Sequence, residues 1–521
     1  MIKKLNLKSP LTLSILTGIF LGTSIIPFPP WALFFCLAPL FYIWTSESPK
    51  KVFLYTTLSF FIGSMIGFYW IAYLIQQFAR LSWPLSILVC LLFALFCHLH
   101  LSFVGYIFAR WVRPFASRPL LAATAIFAFF WSVFPLLFPW NFSLGWLYGG
   151  LQGYQFADII GADGISTLTI FLNAVFLISF LKFKENKTPL AASVLLVLVI
   201  NFAGSFYARH IPKGDKTYNV VIGQANIGNL EKRFMMDKYN YKTQVIDDYF
   251  KVTKMGLEKS DKKADLIIWP ETAFPVYYDQ NFFHTYSTRR LIDFITQHKT
   301  NLITGVFAQA SNSKTANGVL FLDKTGVPIK TPVYKKILLA FGEYMPFEKN
   351  LPFLRKWFPM VGDFERGTAP QVRVLDNVKL GVQVCYESLY PWFSRELSEK
   401  GSQLIINLTN DSWYGPYSEP WQHLYMSAFR VIENRTPLIR ATNTGISTVI
   451  LPDGTFLEES PLYAQWGGFY EVPYSSNQKK TIYQQWGYAI PLPLILILFI
   501  ISFIYRKPDR TGDIGPNNPK L

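Results

Sequence analysis

The sequence predicts a membrane α-helical bundle of about eight spans joined to an α/β extracytoplasmic domain. Three observations favour this class. Of 521 residues, 51% are apolar and only 16% are charged, which is a low charge content for a chain wholly exposed to water. Short loops separate the apolar runs, except for one long polar stretch at about 208–484. The excess of basic residues lies mostly outside that stretch, where a membrane protein carries its orienting charges.

Each predicted span is an apolar run near the roughly 20 residues that a helix needs to cross a bilayer. Prolines at 27, 29 and 30 divide the first run in two, because proline interrupts helical hydrogen bonding. One span followed by a re-entrant segment remains an alternative there. The predicted spans are 10–26, 31–46, 52–77, 83–109, 119–139, 162–181, 189–207 and 486–505.

These spans divide the chain into three parts. Residues 1–207 hold spans one to seven, residues 208–484 form the extracytoplasmic domain, and residues 485–521 hold the eighth span and a tail. Sixteen of the 49 Lys and Arg residues lie outside the domain, and all but Arg80 fall in alternate loops or the tails. The positive-inside rule therefore predicts that both termini are cytoplasmic.

Two other interpretations of the basic residues and the N-terminus are disfavoured. A cleavable signal peptide lacks support, because no small-x-small site follows the first apolar run. The net charge of +16 is spread over separate loops, so we expect no nucleic-acid partner.

The polar stretch has the pattern of a layered α/β domain. Short apolar runs that end in polar residues predict buried strands, and helical patterns at 239–258 and 286–298 lie between them. The apolar runs with their polar ends are 219–226, 265–271, 380–388 and 403–411.

Cys385 is the single cysteine of this domain and follows one of the predicted strands. An extracytoplasmic compartment favours disulfides, so a cysteine without a partner is either buried and inert or kept free for chemistry. At a strand end it would stand at the rim of a sheet, where substrate has access. The remaining cysteines lie in predicted spans, where small thiols commonly pack: Cys36, Cys90 and Cys97.

A reactive thiol needs a base or a neighbouring cation. Glu271 follows another predicted strand, and its carboxylate could serve as general base if burial raises its pKa. Lys335 or Lys336 could hold an oxyanion, although a lysine pair is commonly solvated, so the pattern alone leaves this grouping open. The domain's histidines lack a strand-end context and are interpreted as surface or structural residues: His210, His284, His298 and His423.

Five short motifs carry a resemblance to known proteins. They are Trp269-Pro270-Glu271-Thr272-Ala273, Tyr334-Lys335, Phe341-Gly342-Glu343-Tyr344-Met345-Pro346, Val384-Cys385-Tyr386-Glu387-Ser388 and the run 407–415. In these motifs the domain resembles the nitrilase superfamily of carbon–nitrogen hydrolases, which use Glu, Lys and Cys in this order on an αββα sandwich. Together with the predicted spans, the chain is similar to the apolipoprotein N-acyltransferases of the bacterial inner membrane.

The resemblance implies that Glu271 is the general base, Lys335 the oxyanion-stabilising cation and Cys385 the nucleophile. It selects Lys335 over Lys336, because the family's lysine precedes by eight residues the glutamate that Glu343 matches.

Three further residues are implied as supporting members of the active site: Glu343, Tyr386 and Glu387. The alternative for the two glutamates is an ordinary structural ion pair.

The segment between Pro346 and Gly362 is apolar, aromatic and basic. Leu354, Trp357 and Phe358 are the candidate residues of a lid that dips into the outer leaflet, and packing against the domain is the alternative. The chain departs from the family at Gly228 and Phe234, where proline and tryptophan are common. This departure leaves a lipid or peptide contact there in doubt.

The resemblance also implies the reaction and its partners. A phospholipid, with phosphatidylethanolamine expected, donates an acyl chain through a cysteine thioester to the N-terminal amine of a diacylglyceryl apolipoprotein. The catalytic domain would face the periplasm, and neither a cofactor nor a metal is expected. A membrane-tethered amidase and a non-catalytic transporter or scaffold are the alternatives.

Overall fold

The computed structural model describes residues 9–134, 149–228, 241–310, 314–358 and 361–504. The chain divides into two compact units. The first lies within Met1–Ala72, Ser82–Arg209 and Thr481–Leu521, and the second comprises Tyr73–Leu81 and His210–Lys480. The sequence did not indicate that Tyr73–Leu81 would group with the polar domain.

The first unit is built from helices, most of which are apolar. They are α1 (Pro10–Gly22), α2 (Ala38–Ser46), α3 (Pro49–Gly67), α4 (Ile71–Ala79, which continues into the second unit), α5 (Trp83–Phe96), α6 (Leu99–Ile107), α7 (Pro119–Ala128), α8 (Ala157–Leu181), α9 (Thr188–Ala208), α15 (Ile482–Gln485) and α16 (Pro491–Ile501).

Three helical segments of the described residues are long and apolar enough to cross a membrane: Trp83–Phe115, Gln152–Leu181 and Thr188–Ala208. A fourth results if Pro49–Gly67 and Ile71–Gln77, which meet at a bend of 64°, form one broken span. The number of eight spans therefore stays a prediction. Other apolar helices are shorter, namely Pro10–Gly22, Pro119–Val133 and Gly487–Ile501.

Of the predicted span 31–46, only the part that forms α2 is helical. The residues before α2 form turns. Asn173 of α8 satisfies the backbone of those turns. Its side-chain oxygen accepts a hydrogen bond from the Leu37 N–H at 2.7 Å, and its amide donates to the Leu33 carbonyl at 3.0 Å. Buried backbone groups need such partners, so this one asparagine stabilises a non-helical segment between apolar helices.

The second unit contains eleven strands among its described residues. They are β1 (Lys216–Gln224), β2 (Leu266–Ile268), β3 (Asn301–Gln309), β4 (Thr315–Leu322), β5 (Val333–Tyr334), β6 (Val372–Leu375), β7 (Val378–Val384), β8 (Leu404–Thr409), β9 (Leu438–Thr442), β10 (Thr448–Ile450) and β11 (Trp466–Tyr474). Its other helices are α10 (Tyr241–Leu257), α11 (Tyr286–His298), α12 (Phe353–Trp357), α13 (Pro391–Glu399) and α14 (Glu419–Asn434).

The strands form two sheets, in the orders β11-β1-β2-β3-β4-β5 and β10-β9-β8-β7-β6. Strands β1, β2 and β3 are parallel, as are β7, β8 and β9. Side chains alternate between the faces of a strand. Accordingly Val220 and Ile222 join the core that also contains Leu380 of the other sheet, whereas Val221 joins the core beneath α10 and α11.

A third core lies between the second sheet and helices α13 and α14, and it includes Phe393 and Leu424. The unit is therefore layered helix, sheet, sheet, helix, as predicted for a nitrilase-like sandwich. The predicted helices at 239–258 and 286–298 are present as α10 and α11. The carboxyl ends of the parallel strands in each sheet give two edges at which loop residues can meet.

Candidate active site

Three predicted site residues each follow a strand. Glu271 follows β2, Lys335 follows β5 directly, and Cys385 follows β7 directly. All three are buried, with 6%, 2% and 6% of their surfaces exposed. Charged residues are almost never buried without partners, so the contacts of Glu271 and Lys335 define the site.

Lys335 forms ion pairs with two carboxylates. Its Nζ lies 3.1 Å from Glu271 Oε1 and 3.0 Å from Glu343 Oε1. The neighbouring Lys336 points elsewhere, since its Nζ lies 5.1 Å from the centre of the Trp392 ring. The geometry thus distinguishes two lysines that the sequence pattern alone could not.

Asn317, near the start of β4, bridges the same carboxylates. Its Nδ2 donates to Glu271 Oε1 at 2.7 Å and to Glu343 Oε1 at 2.9 Å. This residue was not predicted from the sequence, because Asn317-Gly318 has no distinguishing spacing from the other motifs. We call Glu271, Asn317, Lys335 and Glu343 the carboxylate–lysine cluster.

The contacts within this cluster leave specific atoms uncommitted. Within the described part of the chain, the side-chain hydrogen bonds and ion pair of Glu271 all fall on Oε1. Lys335 has three N–H donors, and Glu271 and Glu343 take two of them. The cluster can therefore offer one carboxylate oxygen as a base and one ammonium hydrogen as a donor.

Burial and charge set the ionisation of the cluster. Burial raises the pKa of Glu271, and the Glu343 charge adds to this while Lys335 opposes it. Burial disfavours the charge on Lys335, but the carboxylates of Glu271 and Glu343 outweigh it and hold the Lys335 pKa well above its usual value. Glu271 therefore has a base strength above that of an ordinary carboxylate, which suits proton abstraction.

Cys385 begins the 3₁₀ turn Cys385–Leu389 in a left-handed backbone conformation, with φ of 51°. Burial raises the pKa of its thiol well above the usual value, the charge on Glu271 adds to this, and Lys335 opposes it. The resting thiol is therefore protonated and needs a base before it can attack.

Glu387 ties the nucleophile's turn to the lysine's loop. Its carboxylate accepts from the backbone N–H of Val384 at 2.8 Å, Lys336 at 2.6 Å and Ile337 at 3.1 Å. Burial raises the Glu387 pKa to about 7 despite these hydrogen bonds. Burial also raises the pKa of Tyr386 to about 12.

A second polar group surrounds the carbonyl of Cys385. Its members, named here the histidine network, are Ser388, Asn407, Asp411, His423 and Arg440. Asp411 Oδ1 lies 3.1 Å from His423 Nδ1, and Asp411 Oδ2 accepts from Arg440 at 2.9 Å. The sequence pattern predicted that His423 is a surface or structural residue. It is a buried residue of α14 whose Nε2 lies 3.3 Å from the Cys385 carbonyl oxygen.

The described residues include one group of metal-ligand type, which shares Asp411 and His423 with this network. Ligand atoms of Asp411, Glu419 and His423 lie within 4.8 Å of one another. However, both oxygens of Asp411 are already engaged, by His423 and by Arg440. A cation there would have to displace a buried guanidinium, so the geometry fits an ion-pair network better than a metal site.

The candidate lid residues fall on and beside α12. Leu354 is half-buried, and Phe358 is exposed with its ring centre 6.4 Å from that of Phe341. The side chain of Trp357 lies outside the described residues. Several large apolar residues of this segment are exposed: Phe341, Phe347, Leu351, Phe353 and Phe358. Of the departures from the family, Gly228 is described but Phe234 is not.

The chain matches two protein families. Residues 236–465 match the carbon–nitrogen hydrolase family, and residues 17–175 match the apolipoprotein N-acyltransferase N-terminal domain. The second match places the helical unit, as well as the sandwich, within a described family.

Curated relatives match over nearly the whole chain. The apolipoprotein N-acyltransferase of Bdellovibrio bacteriovorus is 36% identical over 93% of this chain and 92% of its own. That of Geobacter metallireducens is 30% identical over 87% of each chain. Among solved structures, an amidase from Nesterenkonia sp. AN1 aligns with a TM-score of 0.36 at 19% identity, covering 51% of this chain and 95% of the amidase.

Proposed function

The chain belongs to the apolipoprotein N-acyltransferase family, and from this premise we propose how its residues transfer an acyl chain. The donor is a phospholipid, the intermediate is a thioester on Cys385, and the acceptor is the N-terminal amine of the diacylglyceryl-cysteine of an apolipoprotein. Phosphatidylethanolamine is the proposed donor. The proposed catalytic residues are Glu271, Lys335 and Cys385.

One observation carries this assignment. Lys335 holds Glu271 and Glu343 through their Oε1 atoms, which leaves Oε2 of Glu271 as an acceptor and one N–H of Lys335 as a donor. General-base and oxyanion chemistry need such an uncommitted pair next to a nucleophile. Cys385 is the proposed nucleophile because it is the single cysteine of this domain and directly follows β7, and the charges of Glu271 and Lys335 both act on its thiol.

In the first step, Glu271 takes the proton of the Cys385 thiol while the sulfur attacks the ester carbonyl of the phospholipid. Lys335 stabilises the negative oxygen of the tetrahedral intermediate. When the ester bond breaks, Glu271 returns the proton to the departing lysophospholipid oxygen. The thioester and a free alcohol result, so protons and bonds balance.

In the second step, the neutral amine of the apolipoprotein attacks the thioester carbonyl. Glu271 takes a proton from the amine, and the sulfur of Cys385 recovers that proton as it leaves. The products are an amide and the free thiol. Because the donor's alcohol leaves before the acceptor reacts, the kinetics are of the ping-pong type.

Both substrates carry acyl chains, so the site must accept lipid. We place the catalytic unit on the periplasmic side of the inner membrane, with both termini cytoplasmic, on the distribution of basic residues. The exposed apolar side chains around α12, including Phe353 and Phe358, support a lid that contacts the outer leaflet. Exclusion of water by such a lid would protect the thioester from hydrolysis.

The test is intact mass spectrometry of the detergent-purified protein after incubation with phosphatidylethanolamine, beside the Cys385→Ala variant. We expect a mass increase of one acyl chain on the native protein only. A diacylated lipopeptide with a free N-terminal amine should then remove the adduct and appear as its N-acylated product.

An N-acetylated lipopeptide is the matched control for the second step, because it lacks the attacking amine. Failure of a folded native protein to form any adduct would refute the thioester mechanism. Loss of the adduct to water, equally fast with either lipopeptide, would instead support a membrane-tethered hydrolase.

A further inference from the structure

The carbonyl oxygen of Cys385 is surrounded by polar side chains from three elements. Ser388 Oγ lies 3.1 Å away on the same turn, Asn407 Nδ2 donates at 3.3 Å from β8, and His423 Nε2 lies 3.3 Å away on α14. A backbone carbonyl has two lone pairs. Ser388 and Asn407 can donate to both, and His423 lies close enough to act on the carbonyl through its contact with Ser388.

Proton positions in the histidine network follow from the charge on Asp411. Burial opposes that charge, but Arg440 and His423 outweigh it and keep the Asp411 pKa below its usual value. His423 Nδ1 must then donate to Asp411 Oδ1. Burial and the Arg440 charge lower the His423 pKa, so the imidazole is neutral and Nε2 is an acceptor.

Ser388 completes the sequence of hydrogen bonds. Its hydroxyl lies 3.1 Å from His423 Nε2 and accepts from Ser427 at 2.9 Å. Ser388 therefore donates either to His423 or to the Cys385 carbonyl, and its position is fixed by both. Arg440 supports the arrangement from the other side, since it also donates to Asn407 Oδ1 at 2.8 Å.

The space around Asp411 is restricted on the side of Gly445. A Cβ on Gly445 would come within 2.1 Å of Asp411 Oδ2, so the residue at 445 must be glycine for the carboxylate to lie where Arg440 and His423 hold it. The carboxylate cannot move toward Gly445 without a clash.

Cys385 needs this support because of its backbone. A residue with a Cβ is disfavoured in the left-handed region, and such a conformation persists only where the surroundings determine it. Fixing the carbonyl oxygen fixes ψ of Cys385. With φ at 51°, this sets the direction of the Cα–Cβ bond that carries the thiol.

We propose that His423 is a positioning residue for acyl transfer, which acts with Asp411 and Ser388 to hold the peptide after Cys385 and so aim the thiol. His423 and Ser388 are buried at 3% and 0% exposure and act through the backbone of Cys385. This inference rests on the proposed function. It predicts that loss of His423 slows acylation of the thiol without weakening donor binding.

The experiment measures acylation in single turnovers by mass spectrometry, over a series of phosphatidylethanolamine concentrations, per folded molecule. His423→Asn keeps a donor near Asp411 but removes the Nε2 acceptor, and Ser388→Ala removes the hydroxyl. We expect each variant to lower the rate at saturating donor about 10- to 100-fold, with a half-saturating concentration within about twofold of native. The double variant should be no slower than the slower single variant, since both interrupt one line of contacts.

Ser394→Ala is the matched control. Ser394 is equally buried, but its hydroxyl accepts from Gln383 at 2.6 Å instead of contacting the Cys385 carbonyl. It should lower thermal stability and leave the acylation rate per folded molecule within about twofold of native.

The outcomes separate this inference from the proposed function. A native protein that forms no acyl adduct refutes the function itself. If the native protein is acylated and folded His423→Asn and Ser388→Ala proteins are acylated as fast, His423 is merely structural. Equal slowing by Ser394→Ala, or multiplied effects in the double variant, would also refute a positioning role. Should His423→Asn fail to fold, Ser388→Ala alone decides.

Discussion

Two buried polar groups lie near Cys385, and they differ in what they leave uncommitted. In the carboxylate–lysine cluster, the side-chain contacts of Glu271 with described residues fall on Oε1, and those of Lys335 take two of its three N–H donors. In the histidine network, both oxygens of Asp411 are engaged. Buried charges cost free energy unless they are paired, and both groups meet that need. The proposed reactive site thus keeps one oxygen of its acid available, whereas the supporting network engages both oxygens of its acid.

The comparison is tested most strongly at Lys335. Lys335→Met removes the proposed oxyanion donor, and loss of one such donor costs about 10²- to 10³-fold in rate. We expect thioester formation, followed by intact mass, to fall by about 10³-fold. Lys336→Met is the matched control, because Lys336 Nζ lies over Trp392, and it should acylate within about twofold of native. Similar losses in both variants would contradict the assignment.

We expect a substitution in the histidine network to lower the thermal stability of the protein as well as the rate of acyl transfer. Arg440→Met leaves the carboxylate of Asp411 buried without its guanidinium, and breaking a buried ion pair costs about 3–5 kcal/mol. We expect a large fall in the thermal midpoint in detergent. Arg373→Met, at a half-buried position of β6, should change it little. A near-native midpoint for Arg440→Met would mean that the network does not depend on its closed ion pair.

Substitution of Asn317 tests what sets the ionisation of Glu271 within the carboxylate–lysine cluster. Its hydrogen bond lowers the pKa of Glu271 against the effect of burial, so Asn317→Ala should raise that pKa further. Glu271 acts as a base only when ionised. The acidic limb of the pH–rate profile for thioester formation should therefore move to higher pH, with a loss of about tenfold near neutral pH.

Thr315→Ala is the control for Asn317, since Thr315 lies two residues earlier on the same strand and its hydroxyl contacts Tyr277 at 3.3 Å. Its pH–rate profile should match that of the native protein. An unshifted profile for Asn317→Ala would show that the amide does not set the ionisation of Glu271.

The smallest expected effect concerns Glu387, which joins the two sides of the site. Its pKa in the folded protein is about 7, raised from 4.5 by burial. The stability from this group is therefore full below pH 4.5 and is lost as the pH rises through 7. Glu387→Gln should reduce the fall in thermal midpoint between pH 5 and 8 by a few degrees. The same fall in native and variant proteins would assign that pH dependence to other groups.

The strands and helices of the sandwich could be predicted because buried segments have a local pattern of apolar residues in the sequence. The run that ends at Cys385 reads as a strand in the sequence and is β7 in the structure. The strand ends also placed Glu271 and Cys385 at sheet edges. The span pattern was less informative, since residues 31–37 are as apolar as a helix but form turns held by Asn173.

Composition, periodicity and motifs by themselves predicted an α/β domain within a largely apolar chain, and the family resemblance that the motifs carry supplied the proposed acid, lysine and cysteine of its site. Tertiary structure alone brought Asn317 between two glutamates that lie 46 residues before it and 26 after it. It also brought His423 to the carbonyl of Cys385, 38 residues away. The physical reason is that local pattern encodes which residues are buried, whereas sheet order and helix packing decide which buried polar groups meet.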